Sequence, residues 1–79
     1  MNTSDYYGEA RIIAANLKNA GREADGTNLI DAIEAGATAT EILMALRFHL
    51  MNLLADQSLP TIIRSPTESL YKRINSVLS

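Results

Sequence analysis

The sequence predicts an all-α fold, a compact four-helix domain with a central long apolar helix at about residues 39–55. Apolar residues recur at spacings of three and four along most of the chain, and capping residues and glycines divide it into four segments. No alternating apolar and polar run indicates a strand. At 79 residues the chain is expected to be one helical domain, residues 1–79, with a small core.

The first predicted helix begins at Ser4 or Asp5, because either side chain can accept a hydrogen bond from a free backbone N–H at a helix start. Gly21 is expected to end this helix, since glycine adopts the left-handed backbone conformation at little cost. The apolar residues predicted to face the core are Ala10, Ile13, Ala14 and Leu17.

The second predicted helix has two possible N-caps, Asp25 and Thr27, and Gly26 disfavours an earlier start. Gly36 is expected to end it. Its apolar residues are Leu29, Ile30 and Ile33.

The third predicted helix opens at Thr38, which with Glu41 has the spacing of a capping box. From Ile42 to Ala55, eleven of fourteen residues are apolar. In helical projection these residues form two faces about 100° apart. The leucine face consists of Leu43, Leu46, Leu50, Leu53 and Leu54, and the Met/Phe face consists of Met44, Phe48, Met51 and Ala55.

The apolar side chains of each face must be shielded from water by another part of the protein or by a partner. The first and fourth helices are expected to cover the leucine face. The Met/Phe face requires either the second helix with the Ile62–Ile63 segment, or a protein partner. Methionine adapts to irregular surfaces and is common where proteins bind one another. Met44, Phe48 and Met51 are therefore candidate interaction residues, and a two-fold homodimer is the simplest arrangement.

The fourth predicted helix begins at Ser65, with Pro66 at its first position and Glu68 completing a second capping box. Residues 56–65 are expected to be an irregular connector held to the core by Ile62 and Ile63. The apolar residues predicted to be buried on this helix are Leu70, Ile74, Val77 and Leu78.

The composition argues against catalysis and cofactor binding. The chain has no cysteine, and its one histidine, His49, cannot form a two-histidine metal site. No phosphate-binding loop or nucleophile motif is present. We expect a protein that is not an enzyme, with no metal, cofactor or small-molecule substrate. The first residues do not resemble a secretion signal, and the apolar helix is too short to cross a bilayer, so we expect a cytoplasmic protein.

Charge is unevenly distributed, since residues 1–41 hold seven acidic and three basic side chains. Asp31 and Glu34 lie on one helical face, and Tyr6 and Tyr7 can supply buried area at an interface. Small bacterial inhibitors of nucleases and toxins present such acidic and aromatic surfaces to basic partners. The sequence therefore predicts a small protein-interaction module, of the inhibitor, immunity-protein or regulatory-subunit type.

The alternative prediction is a helix-turn-helix DNA-binding regulator, or a degenerate form of one, spanning residues 28–47. Ala32, Gly36 and Ile42 match the small residue, turn glycine and buried aliphatic residue of that motif. The residues available to contact DNA would be Thr38, Thr40 and Arg47. Arg47 is the only basic residue among them, which makes nucleic acid the less favoured partner.

Overall fold

Four α-helices account for most of residues 5–79, the part of the chain that the computed structural model describes. Between residues 5 and 79 there is no strand, so the all-α four-helix prediction is confirmed. The helices are α1 (Tyr6–Asn19), α2 (Glu23–Ala35), α3 (Ala39–Ala55) and α4 (Thr61–Leu78).

The four helices pack as a ring in chain order. α1 contacts α2 and α4, and α3 contacts α2 and α4, so α1 and α3 lie diagonally across the core. The long apolar helix α3 therefore occupies one corner of the ring and points its leucine face to the centre. Its main neighbours are α4, as the sequence predicts, and α2 rather than α1.

One hydrophobic cluster draws on all four helices and on the α3–α4 connector. Most of the predicted core residues are buried in it, and Leu54, Ile30 and Leu78 are partly buried. There are two exceptions: Val77 is exposed at the end of α4, and Ile62, expected to hold the connector to the core, lies in the first turn of α4 and is exposed. The buried apolar residues are Ala10, Ile13, Ala14, Leu17, Leu29, Ala32, Ile33, Leu43, Leu46, Leu50, Leu53, Leu59, Ile63, Leu70 and Ile74.

α1 begins and ends as the sequence predicts. The Asp5 carboxylate accepts a hydrogen bond from the Gly8 N–H at 2.9 Å, and Ser4, the other candidate cap, lies outside the described residues. At the other end Gly21 has a φ of +82°. Two hydrogen bonds, Gly21 N–H to the Lys18 carbonyl and Arg22 N–H to the Leu17 carbonyl, complete a Schellman motif.

α2 begins at Glu23, so the prediction that Asp25 or Thr27 caps it is wrong. The Schellman motif releases the chain at Arg22, whose carbonyl already accepts the first helical hydrogen bond, from Gly26. Glu23 and Asp25 lie in the first turn, where negative charge interacts favourably with the helix dipole.

Gly26 is buried where α1 and α2 approach closely. A Cβ atom at this position would lie 2.7 Å from the Ala14 carbonyl oxygen and 2.8 Å from Cγ of Lys18. The glycine that appears in the sequence as a helix breaker is therefore a packing residue inside α2.

The capping box at the start of α3 is confirmed, with one change. The Thr38 hydroxyl accepts a hydrogen bond from the Glu41 N–H at 3.1 Å. The Glu41 carboxylate accepts a hydrogen bond from the Ala37 N–H at 3.3 Å, one residue before the donor expected in a capping box. Both interactions fix the direction in which the chain enters the apolar helix.

α4 begins at Thr61, four residues before the predicted cap at Ser65, and Pro66 lies inside it. Arg64 explains the earlier start, because its guanidinium donates hydrogen bonds to the carbonyls of Leu54 at 3.0 Å and Asp56 at 2.6 Å. These bonds hold the first turn of α4 against the end of α3. Pro66 leaves the Ile62 carbonyl without its helical donor, at a position exposed to water.

No helix within residues 5–79 combines the length and the apolar character that a membrane-spanning segment requires.

We predict that Gly26→Ala lowers the stability of the protein, although alanine favours a helix by about 1 kcal/mol over glycine. The new methyl group meets a backbone oxygen that cannot move without shifting α1 against α2, which costs about 1–3 kcal/mol. Thr27→Ala, at the next and exposed position, is the control and should leave stability unchanged or slightly higher. Chemical denaturation measures both, and a Gly26→Ala protein as stable as wild type would contradict the prediction.

Candidate protein interaction site

The Met/Phe face lies on the outer surface of α3, uncovered by any other helix. Met44, Phe48 and Met51 are 50%, 55% and 47% exposed, and Ala55 is exposed at the end of the same face. Ile62 and Ile63, considered above as a cover, do not provide one, since Ile63 is buried in the core and Ile62 is itself 83% exposed. The three large side chains therefore form a continuous apolar surface open to solvent.

A groove of about 450 Å³ runs beside this face, between α3 and α4. Met44, Phe48 and Met51 line its α3 side, and Tyr71 and Asn75 line its α4 side. In the groove the guanidinium of Arg47 donates a hydrogen bond to the Asn75 side-chain oxygen at 3.1 Å. The groove is thus mainly apolar, with one hydrogen-bonded cation.

A smaller cleft of about 170 Å³ lies on the other side of α3, against α2. Its lining is polar and includes His49, Asn28 and Asn52. The His49 ring also packs edge-on against Phe48, with ring centres 5.3 Å apart. His49 is therefore half-buried between the apolar outer surface of α3 and this polar cleft.

Arg22 organises the polar cleft. Its guanidinium donates hydrogen bonds to Asp56, to Asp25 at 3.0 Å and to the Ser58 hydroxyl at 3.3 Å. The bond from Arg22, followed by the bonds from Ser58, holds the pKa of Asp56 well below its ordinary value of 3.8. The ion pair links the α1–α2 turn to the α3–α4 connector, which gives it a structural role.

A second ion pair links α1 to α4. The Arg73 guanidinium binds both carboxylate oxygens of Glu9, one of them at 2.9 Å. The hydrogen bond from Arg73 lowers the pKa of Glu9. Both carboxylates with lowered pKa values are thus held by arginines, an arrangement that favours the ionised form and suits a structural ion pair better than a general acid.

The acidic candidates lie on a different side of the bundle from the Met/Phe face. Asp31 and Glu34 are exposed on α2, and Glu34 lies 3.8 Å from Arg11 of α1. The Met/Phe face borders α4, which is diagonal to α2 in the ring. Asp31 and Glu34 are therefore not part of the groove that borders the Met/Phe face.

Tyr6 and Tyr7 are half-buried against the core at the start of α1. They line a shallow cavity of about 260 Å³ with Ala39 and Leu43 of α3. Both rings therefore help to close this end of the bundle and keep only part of their surface for contact with another molecule.

The three residues of the DNA-binding alternative are placed differently from one another. The hydroxyl of Thr38 caps its own helix, and Arg47 is hydrogen-bonded to Asn75. Thr40 is exposed. Of the three residues matched to the motif, Ala32 is buried, Gly36 packs closely against Ile42, and Ile42 is partly buried.

Sequence reasoning did not identify two groups of residues at these sites. Tyr71 and Asn75 share a face of α4 at a spacing of four, but the sequence predicts only that this helix covers the leucine face, not which of its residues border the Met/Phe face. The ion pairs join residues 34 and 64 positions apart, and no local pattern connects such residues.

Within residues 5–79, no three cysteine, histidine or acidic side chains are grouped so that they could hold a metal ion. Comparison with known proteins gave no relationship, since no family model, no curated protein and no solved structure matches the chain.

We predict that Asp56→Asn lowers the free energy of unfolding at neutral pH, because the neutral amide loses its charge interaction with Arg22. A carboxylate whose pKa is lowered by folding stabilises the protein above its unfolded-chain pKa, here 3.8, and this contribution is lost as the pH falls. The difference in the free energy of unfolding between Asp56→Asn and wild type should therefore shrink between about pH 4 and about pH 2.

Denaturation at several pH values measures this difference. Asp31→Asn, which changes an exposed carboxylate on α2, is the control, and its stability should depend on pH as that of wild type does. If the stability difference between Asp56→Asn and wild type stays constant down to about pH 2, the charge of Asp56 is not the cause of that difference.

Proposed function

We propose that this chain is a non-catalytic protein-interaction module that binds another polypeptide through the Met/Phe face of α3. The observation that carries the proposal is the exposure of Met44, Phe48 and Met51 on one surface beside an apolar groove. Three large side chains of roughly 200 Å² each, about half exposed, present roughly 300 Å² of apolar surface. On monomeric proteins, patches of this size are often functional.

The composition of the face supports binding to a protein rather than to a small molecule. Methionine and aromatic residues are enriched at protein interfaces, and lysine and glutamate are depleted there. The groove lining contains no lysine or carboxylate, and Tyr71 adds a second aromatic residue. The groove runs along α3 and is open to solvent, a shape that suits an apolar helix of a partner.

An inhibitor or immunity-type role is the more specific form of this proposal, with a cytoplasmic protein as its setting. In that form Asp31 and Glu34 would contact a basic partner as a second, separate surface, because they lie on the α2 side of the bundle. Glu34 is already paired with Arg11, which leaves Asp31 as the more available carboxylate. The Met/Phe face remains the surface with the larger apolar area.

The DNA-binding alternative remains a prediction with less support. Phosphate contacts supply most of the affinity of DNA-binding proteins, and α3 offers only Arg47, which is hydrogen-bonded to Asn75. A DNA-binding protein should be retained on a heparin or DNA column and released by added salt. Passage through such a column at low salt would exclude this alternative.

We predict that Phe48→Asp abolishes partner binding and leaves the fold intact, because the side chain is more than half exposed. The variant protein and wild type are tagged and used to isolate complexes from the native cell. The co-purifying protein is then produced separately and titrated by calorimetry. Phe48→Asp should weaken binding by about 2 kcal/mol or more, as expected for a central aromatic contact.

Ile12→Asp is the matched control, since Ile12 is an exposed apolar residue on a different helix. This variant should bind the partner as tightly as wild type does. Stability of the two variants should lie within about 0.5 kcal/mol of wild type. If Phe48→Asp and Ile12→Asp have the same effect on binding, the Met/Phe face is not the interaction site.

A further inference from the structure

We propose that the partner of the Met/Phe face is a second copy of this chain, packed antiparallel about a two-fold axis that passes beside Phe48. The inference rests on the proposed function, because it identifies the polypeptide that binds the same face.

The exposed residues of this face are arranged symmetrically along the helix. Met44 and Met51 are seven residues apart, which is about two helical turns, and Phe48 lies between them. Thr40 lies four residues before Met44, and Ala55 lies four residues after Met51, so a small exposed residue flanks each methionine. The order small, Met, Phe, Met, small is the same in either direction, and the four outer positions are symmetric about the point between residues 47 and 48, next to Phe48.

A two-fold interface requires this kind of symmetry, because each contact between two positions occurs twice, with the positions exchanged. When two α3 helices pack antiparallel, Met44 faces Met51 of the partner subunit, and the same contact forms on the other side of the axis. Phe48 then lies beside its own counterpart. Thr40 and Ala55 at the ends are small enough to let the helices approach.

The Met/Phe face supplies part of the area that a dimer needs. A standard interface buries about 800 Å² on each partner, about a sixth of the 4652 Å² surface of the protein, and the three large side chains contribute roughly 300 Å² of apolar surface. The Met/Phe face supplies the apolar centre of such an area. Tyr71 and Asn75 extend it along α4 as a more polar border.

The charges of the groove also favour a second copy over a highly charged partner. Among residues 5–79, Arg47 is the only charged residue that lines the groove, and Asn75 accepts a hydrogen bond from it. A strongly acidic or basic protein would find few opposite charges around the face. Arg47 lies toward α4, so in the dimer both guanidinium groups stay at the polar border.

The first test is the mass of the protein in solution, measured by light scattering over a concentration series. Wild type and Ile12→Asp should both have the mass of a dimer, and Phe48→Asp should have the mass of a folded monomer. Circular dichroism confirms that the monomer keeps its helices. A wild-type protein that stays monomeric at the highest concentration overturns the dimer.

The second test uses disulfide formation to establish the direction of packing, which is possible because the chain has no cysteine. Met44→Cys and Met51→Cys proteins are mixed in equal amounts and oxidised. An antiparallel dimer cross-links the two variants to each other, roughly tenfold faster than Ile12→Cys cross-links to itself, because the thiols are held together. Each variant carries a single cysteine, so every disulfide joins two chains.

Three outcomes separate the possibilities. Preferential cross-linking between the two variants supports the antiparallel dimer. Faster cross-linking of Met44→Cys to itself indicates a parallel dimer and overturns the proposed symmetry. Monomeric wild type with cross-linking only at the Ile12→Cys rate overturns the second copy as partner. In that case the calorimetric comparison of Phe48→Asp with Ile12→Asp still decides whether the face binds a different protein.

Discussion

The structure depends on how four helices share one core. In a ring each helix has two neighbours and one face toward the centre, so a wide part of its circumference faces solvent. α1, α2 and α4 place mostly polar residues on that outer part. α3 does not, because its apolar residues extend round the helix from the buried leucine face to the exposed Met/Phe face. The exposed Met/Phe face is thus a direct result of the ring arrangement combined with the composition of one helix.

The sequence was sufficient to predict four helices because the relevant signals are local. The N-cap at Asp5, the left-handed Gly21 and the Thr38–Glu41 box each act within a few residues, and the structure contains all three. The two wrong helix starts have non-local causes. α2 begins at Glu23, where the Schellman motif releases the chain, and continues through Gly26 because this glycine fits against α1. α4 begins early because Arg64 binds the end of α3. Propensity alone disfavours glycine and an internal proline, and tertiary contacts outweigh it.

The candidate site was predictable in part for the same reason. Helical projection separates Met44, Phe48 and Met51 from the leucine face, but it cannot say whether another helix covers them. Coverage depends on which helices are neighbours, and this is decided by contacts between distant residues. The ion pairs show the same limit, since the pair of Arg22 with Asp56 joins the α1–α2 turn to the α3–α4 connector and the pair of Arg73 with Glu9 joins α4 to α1. They also hold the helix pairs in place without enlarging the small apolar core.

The contact of Arg64 with the end of α3 has a consequence for the motions of the bundle. Arg64 belongs to the first turn of α4, and the carbonyls that it binds, those of Leu54 and Asp56, lie at the last turn of α3 and just beyond it. Fraying of either helix end therefore removes hydrogen bonds from the other. Native-state amide exchange should show these two segments opening together as one cooperative unit, while the far ends of both helices exchange independently of them.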